Sequence, residues 1–196
     1  MAMRIDSRAA RLAVAGGLLA VLTPGCGSFR LRDTPPGFAE FHRDDRGHAE
    51  LRAKSGDNVG LRIVTFGNVR GGSLAYWSRD LVEKLGGRGY SLEGQSPARS
   101  ANGVVGTRFD FHYVPPGDHG ESFYSVVLFA SDRYRVVIQL AGDRDQKAAH
   151  DEELDAVAAA IRVAGCRAGG KICKGPQPPA LKTPARPEQA KPSARN

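Results

Sequence analysis

The chain has 196 residues, 41% of them hydrophobic and 25% charged, which suits one domain with extensions and a core able to fold alone. Its formal net charge is +7, but residues 1–25 hold a surplus of two positive charges and residues 174–196 a surplus of four, leaving one for everything between. A nucleic-acid reader carries its basic charge on the fold itself, so the near-neutral body argues against that class.

Arg4, Arg8 and Arg11 precede the uncharged stretch Leu12–Leu22 (LAVAGGLLAVL), which runs into Thr23-Pro24-Gly25-Cys26. A basic segment followed by an apolar one of this length is an export signal, too short to span a bilayer by itself. A cytosolic amphipathic helix is the poorer reading, because Gly16-Gly17 would cost it about 1 kcal/mol each and no polar face exists. Leu22–Cys26 resembles the lipobox of bacterial lipoproteins in Gly25 and Cys26, and departs from it where Thr23 stands in place of the usual leucine. The resemblance implies a signal peptide over 1–25 and lipidation at Cys26. Attachment to a membrane would then follow, since each buried CH₂ contributes about 0.8 kcal/mol. Gly27 in the second mature position resembles the pattern for transfer to the outer membrane, facing the periplasm or the exterior.

After Cys26, residues 26–36 read as a tether stiffened by Pro35-Pro36, and 37–173 as the folded domain. Gly37–Phe41 is a first short strand and His42–Gly47 a charged turn. His48–Ala53 and Val59–Phe66 form a hairpin across Lys54–Asn58. Gly67–Gly72 ends that strand and Ser73 caps a helix whose apolar stripe is Leu74, Trp77, Leu81 and Leu85, with Val82 beside it. The only Trp reads as a core residue. Tyr90–Asn102 has little pattern and contains an exposed edge segment; Val104–Val114 alternates, placing Phe109, Phe111 and Tyr113 on one face.

The strongest signal is Glu121–Gly142, two apolar runs broken at Ser131-Asp132-Arg133, which reads as a central hairpin. Its first arm is apolar on both faces, so the sheet is covered on both sides. Asp143-Arg144-Asp145 leads into a second helix with the stripe Ala149, Leu154, Val157, Ala158 and Ile161. Residues 174–196 hold six of the twelve prolines and read as an extended, disordered basic tail, so deleting 175–196 is expected to leave the melting temperature nearly unchanged.

With Cys26 given to lipid, Cys166 and Cys173 are left as a disulfide pair in an exported chain. Gly67-x-x-x-x-Gly72 before a helix outlines a phosphate loop, but Ser73 and Leu74 stand where the Walker pattern needs Lys and Ser or Thr. A loose anion on the amides of Gly71, Gly72 and Ser73 is the remaining possibility, against a plain turn with an N-cap. The five histidines show no ligand spacing, so neither a metal nor a cofactor is expected. Asp151-Glu152-Glu153 reads as a solvated helix face rather than a calcium site. No catalytic residue is indicated, and Gly-x-Ser-x-Gly does not occur.

This order of elements, with the Leu74–Leu85 helix, the Phe109–Leu140 meander and the closing helix, resembles the PsbP-like α/β/α sandwich family. That family includes DcrB-type bacterial lipoproteins and a nuclear-import Ran-binding protein. The resemblance implies an α+β fold, an antiparallel sheet of about six strands with two main helices, and a module that binds or assembles rather than catalyses. Expected partners are a membrane, through the lipid, and another envelope protein or an anionic envelope polymer. The alternative is an exported hydrolase or small-ligand protein with a site near Gly67–Ser73 or His112–His119. It would require His112 or His119 within reach of Ser73 and a carboxylate.

Overall fold

The computed structural model describes residues 27–44, 50–117 and 120–184; the expected signal peptide, Cys26, His48 and His119 lie outside them. The elements are β1 (Phe29–Arg30), β2 (Phe38–Asp44), β3 (Glu50–Ser55), β4 (Gly60–Gly67), α1 (Leu74–Gly86), β5 (Ser91–Arg99), β6 (Val105–Tyr113), β7 (Ser122–Ala130), β8 (Tyr134–Asp143), α2 (Lys147–Ala160) and β9 (Arg162–Val163). Seven strands form one antiparallel sheet in the order β2-β3-β4-β8-β7-β6-β5, and β1 pairs with β9 apart from it. The fold is the α+β sandwich read from the sequence, with one more strand in the main sheet.

The central hairpin fixes both faces. Phe123, Val127 and Phe129 of β7 and Val136, Ile138 and Leu140 of β8 join Leu51, Leu61 and Ile63 beneath α2, where Leu154, Val157 and Ile161 close the layer. Val126 and Leu128 point the other way, joining Phe109 and Phe111 under Leu74, Val82 and Leu85 of α1. Strict alternation along paired strands sorts these residues without exception. Gly106 shows how tightly the layers close: a Cβ there would lie 2.4 Å from the Phe129 ring and 2.9 Å from the Leu128 carbonyl oxygen. Gly106→Ala is therefore expected to cost about 2 kcal/mol, measured by denaturant unfolding.

Two segments expected to be loose are part of the body. Ser28, Phe29 and Leu31 are buried, and Phe29 pairs with Val163, so the segment read as a tether is folded from residue 28 on. At the other end, residues 175–184 cross the sheet on the α1 side. Gln177 donates to the Gly106 carbonyl (2.8 Å) and accepts from Thr107 (2.7 Å), while the Leu181 amide donates to Gln95 (3.0 Å) and the Leu92 amide to Thr183 (2.6 Å). Leu181 also packs against the core beside α1. Proline makes this arrangement possible: it fixes an extended backbone and needs no donor of its own, so side chains and carbonyls do the anchoring. Truncation after Lys174 is thus expected to cost about 2 kcal/mol, or roughly 6 °C in thermal unfolding, in place of the negligible change expected from composition.

Smaller differences have local causes. β2 continues through His42, Arg43 and Asp44, because a bulge between Glu40 and His42 keeps it paired with β3. In α2 the buried position expected at Ala149 belongs to His150, whose Nε2 lies 2.9 Å from Asp57 and whose ring meets Phe38 edge-on. Pro97 sits in β5, an edge of the sheet, where a missing donor does least harm.

Candidate functional site

The strand end at Gly67 is held by one buried side chain, Asn68. Its Nδ2 donates to the carbonyls of Ser131 (2.7 Å) and Gly72 (3.0 Å), and its Oδ1 accepts from the Gly72 amide (2.9 Å) and Trp77 Nε1 (3.0 Å). Its own amide donates to Arg133 (2.7 Å), and its carbonyl accepts from Gly71 (3.0 Å). Every donor and acceptor of this Asn has a partner. The loop read as a loose anion cradle is thereby turned inward: the Gly71 and Gly72 amides are taken by Asn68, and the Ser73 hydroxyl caps α1 by accepting from the Tyr76 amide (3.2 Å).

Beside that loop runs a groove of about 500 Å³ lined by Gly67, Val69, Arg70, Tyr76, Trp77 and Arg135. Trp77 packs against the α1-side core as expected, but only in part. It is half-buried at the groove wall, with its indole N–H fixed by Asn68 and the Arg135 guanidinium 3.8 Å from its ring centroid. The same guanidinium lies 5.3 Å from the Phe66 centroid. Burial draws the Arg135 pKa below the usual arginine value, partly offset by Asp80 and Tyr76, yet it stays charged at any physiological pH. Its Nε is buried without a hydrogen-bond partner among the described residues. Around it Val69 is 95% exposed and Tyr76 58% exposed.

The disulfide between Cys166 and Cys173, with Cα atoms 6.0 Å apart, belongs to the same end of the molecule. The Arg167 amide donates to Asp132 (2.8 Å), and a Cβ on Gly71 would be 4.0 Å from Ile172. The bridge thus closes the turn after β9 against the β7–β8 turn, and the chain then enters the crossing segment 175–184.

A second surface follows from helix size. One helix is about 10–12 Å across and covers two or three strands spaced about 4.8 Å apart. α1 packs on β5, β6 and β7 and its layer takes in Val64 of β4 and Val137 of β8, while the α1-side face of β2, β3 and the start of β4 stays open. There Phe41 (67% exposed), Arg52, Lys54, Arg62, Tyr124 and Gln139 line a depression of about 400 Å³. Arg52 and Arg62 share the Glu50 carboxylate at 2.8 and 2.6 Å, and together they hold it below the usual carboxylate range, so with Lys54 this face is cationic. Burial, with Tyr90 nearby, pushes the Tyr124 phenol up to about 12, leaving a neutral hydroxyl at the floor.

The residues of the hydrolase alternative are not brought together. Ser73 caps α1, whereas His112 lies 2.9 Å from Glu121 and 3.8 Å from Glu93, and no hydrogen bond or ion pair joins the two among the described residues. Asp151, read as part of a solvated face, instead meets Arg108, as do Asp110 and Asp155. Among the described residues no group of three or more His, Cys, Asp or Glu could hold a metal ion. No helix among them is long and apolar enough to cross a membrane.

No family model and no curated protein matches the sequence. Solved structures with a similar fold include LpqN, involved in cell envelope biogenesis of Mycobacterium tuberculosis, at 11% identity and TM-score 0.49, covering 72% of this chain and 86% of that one. The chain is also similar to cyanobacterial PsbP from Synechocystis sp. PCC 6803 (14% identity, TM-score 0.43, 72% of this chain and 96% of that one). A third is PA94, a protein of unknown function from Pseudomonas aeruginosa (12%, 0.43, 59% and 89%). At such identities the likeness concerns the fold and says nothing of ligands or partners.

Proposed function

We propose that this chain is an exported protein of the bacterial cell envelope, moored by a lipid on Cys26, whose sandwich binds another envelope protein and carries out no reaction of its own. Export and lipidation are supported by Arg4, Arg8 and Arg11, the apolar Leu12–Leu22 and the Gly25-Cys26 pair, and Gly27 favours the outer membrane. The observation that carries the binding reading is the open sheet face. A strip of sheet left bare beside the helix, with Phe41 exposed amid Arg52, Lys54 and Arg62, fits a partner that supplies acidic groups and an apolar contact.

Two measurements test this. The mature protein from a Gram-negative host is expected to carry a diacyl or triacyl mass on the peptide beginning at Cys26, lost in Cys26→Ser. Photo-crosslinking in the envelope from position 41 is expected to give one discrete protein adduct, abolished by Arg62→Glu, while position 149 on the exposed side of α2 gives none. Equal labelling from both positions would sink the binding reading. An adduct with polymer alone would replace the partner protein by an anionic polymer.

A further inference from the structure

The end of the sandwich that holds Trp77 is also the end at which the N-terminal segment enters. Ser28 is buried, donates from its hydroxyl to Thr65 (2.9 Å) and accepts at its carbonyl from the Ala164 amide (2.9 Å). Thr65 precedes Phe66 in β4, and the Ala164–Gly165 turn packs on Arg133 and Tyr134. Only Gly27 separates Ser28 from Cys26. Two residues span at most about 7 Å, so acyl chains on Cys26 would begin within that distance of Ser28, at this end of the strands and on the α2 side of the sheet. No slack remains for the body to stand away from the bilayer.

What this end presents suits an interface of lipid and water. Val69 and Tyr76 are exposed at its rim, with Trp77 and Phe66 beside them. Arg70 and Arg135 line the groove with these apolar groups, and Arg133, Arg167 and Lys171 are exposed on the neighbouring turns of the same end, Arg167 and Lys171 beside the disulfide. None of these five cations forms an ion pair with a described residue. Two carboxylates stand among them, Asp132, which accepts from the Arg167 amide, and Asp80, which pairs with Lys84 at 2.8 Å, and the five cations outnumber these. At the opposite end of the strands the acids Asp57, Glu93, Glu121, Asp143 and Asp145 are mixed with cations, Arg144 binding Glu93 at 2.8 Å. Trp and Tyr favour the headgroup level, and cations beside them find lipid phosphates there.

We propose that this end docks directly on an anionic bilayer, with the Val69 loop, Tyr76 and Trp77 seated among headgroups and the five cations on lipid phosphates. The proposal deepens the lipoprotein reading and takes its geometry from it. Arg135, held against the Trp77 ring at 3.8 Å, fixes one cation of this surface in the groove beside the aromatic group that would sit among headgroups.

The test uses a form beginning at Gly27, which keeps every described residue, and the only Trp, Trp77, as reporter. Vesicles with 30% phosphatidylglycerol in phosphatidylcholine are expected to bind it at least tenfold more tightly than phosphatidylcholine alone, with Trp77 emission shifted blue and quenched by lipids brominated high on the acyl chain. Arg70→Glu with Arg133→Glu, and separately the fully exposed Val69→Asp, should each weaken binding tenfold or more at unchanged melting temperature. Equal binding to neutral vesicles would overturn the proposal, as would bound protein whose Trp77 is not quenched. Displacement by polyglutamate at matched charge would assign the surface to an acidic protein instead. The two readings fail separately. An acylated Cys26 with unquenched Trp77 leaves the anchor and removes the docking, while vesicle docking by a protein never acylated in cells does the reverse.

Discussion

Arg108→Met is expected to lower stability by about 3 kcal/mol, or roughly 9 °C in thermal unfolding, although the position reads from the sequence as one polar residue in an alternating strand. Arg108 is 6% exposed and lies on the face of β6 opposite Phe109 and Phe111, beneath α2. Its guanidinium meets Asp110 (3.0 Å), Asp151 (2.5 Å) and Asp155 (2.9 Å), and also donates to the Asp151 carbonyl (3.2 Å). Burial works against its charge, but hydrogen bonds to Asp110, Asp155 and Asp151 outweigh that and hold its pKa above the ordinary arginine value. Lys147 adds a second cation, 2.9 Å from Asp151 and 3.5 Å from Asp110. Removing Arg108 leaves three carboxylates facing one lysine, and the loss is dominated by Asp110 and Asp151, since Asp155 is largely solvated.

The same network makes an acid-side prediction with a definite sign. Burial alone would raise the Asp151 pKa, but Lys147 and Arg108 bring it below the ordinary value of 3.8. A carboxylate depressed in the folded state stabilises above its unfolded pKa, and the contribution disappears as pH falls through the folded value. The difference between wild type and Arg108→Met should therefore be full above about pH 5 and shrink below about pH 4. Urea unfolding at pH 7, 4 and 3 measures it. A difference independent of pH would mean that Arg108 acts by packing alone. Arg108→Met combined with Asp110→Asn is expected to recover part of the loss, because the neutralised partner no longer leaves a buried charge unpaired.

Periodicity was enough to locate the sheet core, and the reason is visible in β7 and β8. Each alternate side chain on those strands is fully committed to one layer, so apolarity alone reports the face. It failed where polar groups do the packing. Asn68 and Arg108 bear no mark in the sequence that separates them from solvent-facing neighbours, because their burial depends on partners 63 and 47 residues away, Ser131 and Asp155. Trp77 falls on the correct helical stripe and packs on the core there, but its outer side faces Arg135, a contact that apolar periodicity does not report. The proline-rich segment misled for the complementary reason: composition shows that 175–184 cannot build a core, and says nothing of whether it can lie on one. Ser28 carries no signal of its burial either, although that burial shortens the tether and would bring a lipid on Cys26 to the Trp77 end.

Asn68→Ala is expected to cost about 3 kcal/mol, roughly 9 °C in melting temperature, and to change the fluorescence of the folded state as well. The side chain ties β4, the start of α1 and the β7–β8 turn with four hydrogen bonds. Alanine strands the Ser131 carbonyl, which is buried, and frees the Gly72 amide and the Trp77 indole N–H, which can reach water in part. That mixture places the cost in the middle of the range for lost buried hydrogen bonds rather than at its top. Asn68→Asp keeps the acceptor for Gly72 and Trp77 but turns the donor to Ser131 into a carboxylate against a carbonyl, so it should be no less harmful. The two effects separate by probe. Loss of the Trp77 tether should shift native-state emission to the red and raise its accessibility to acrylamide, even at temperatures where circular dichroism reports a fully folded sheet. A destabilisation below about 1 kcal/mol with unchanged emission would show that Asn68 does not hold the groove, and the pre-formed Arg135–Trp77 stack would need another support.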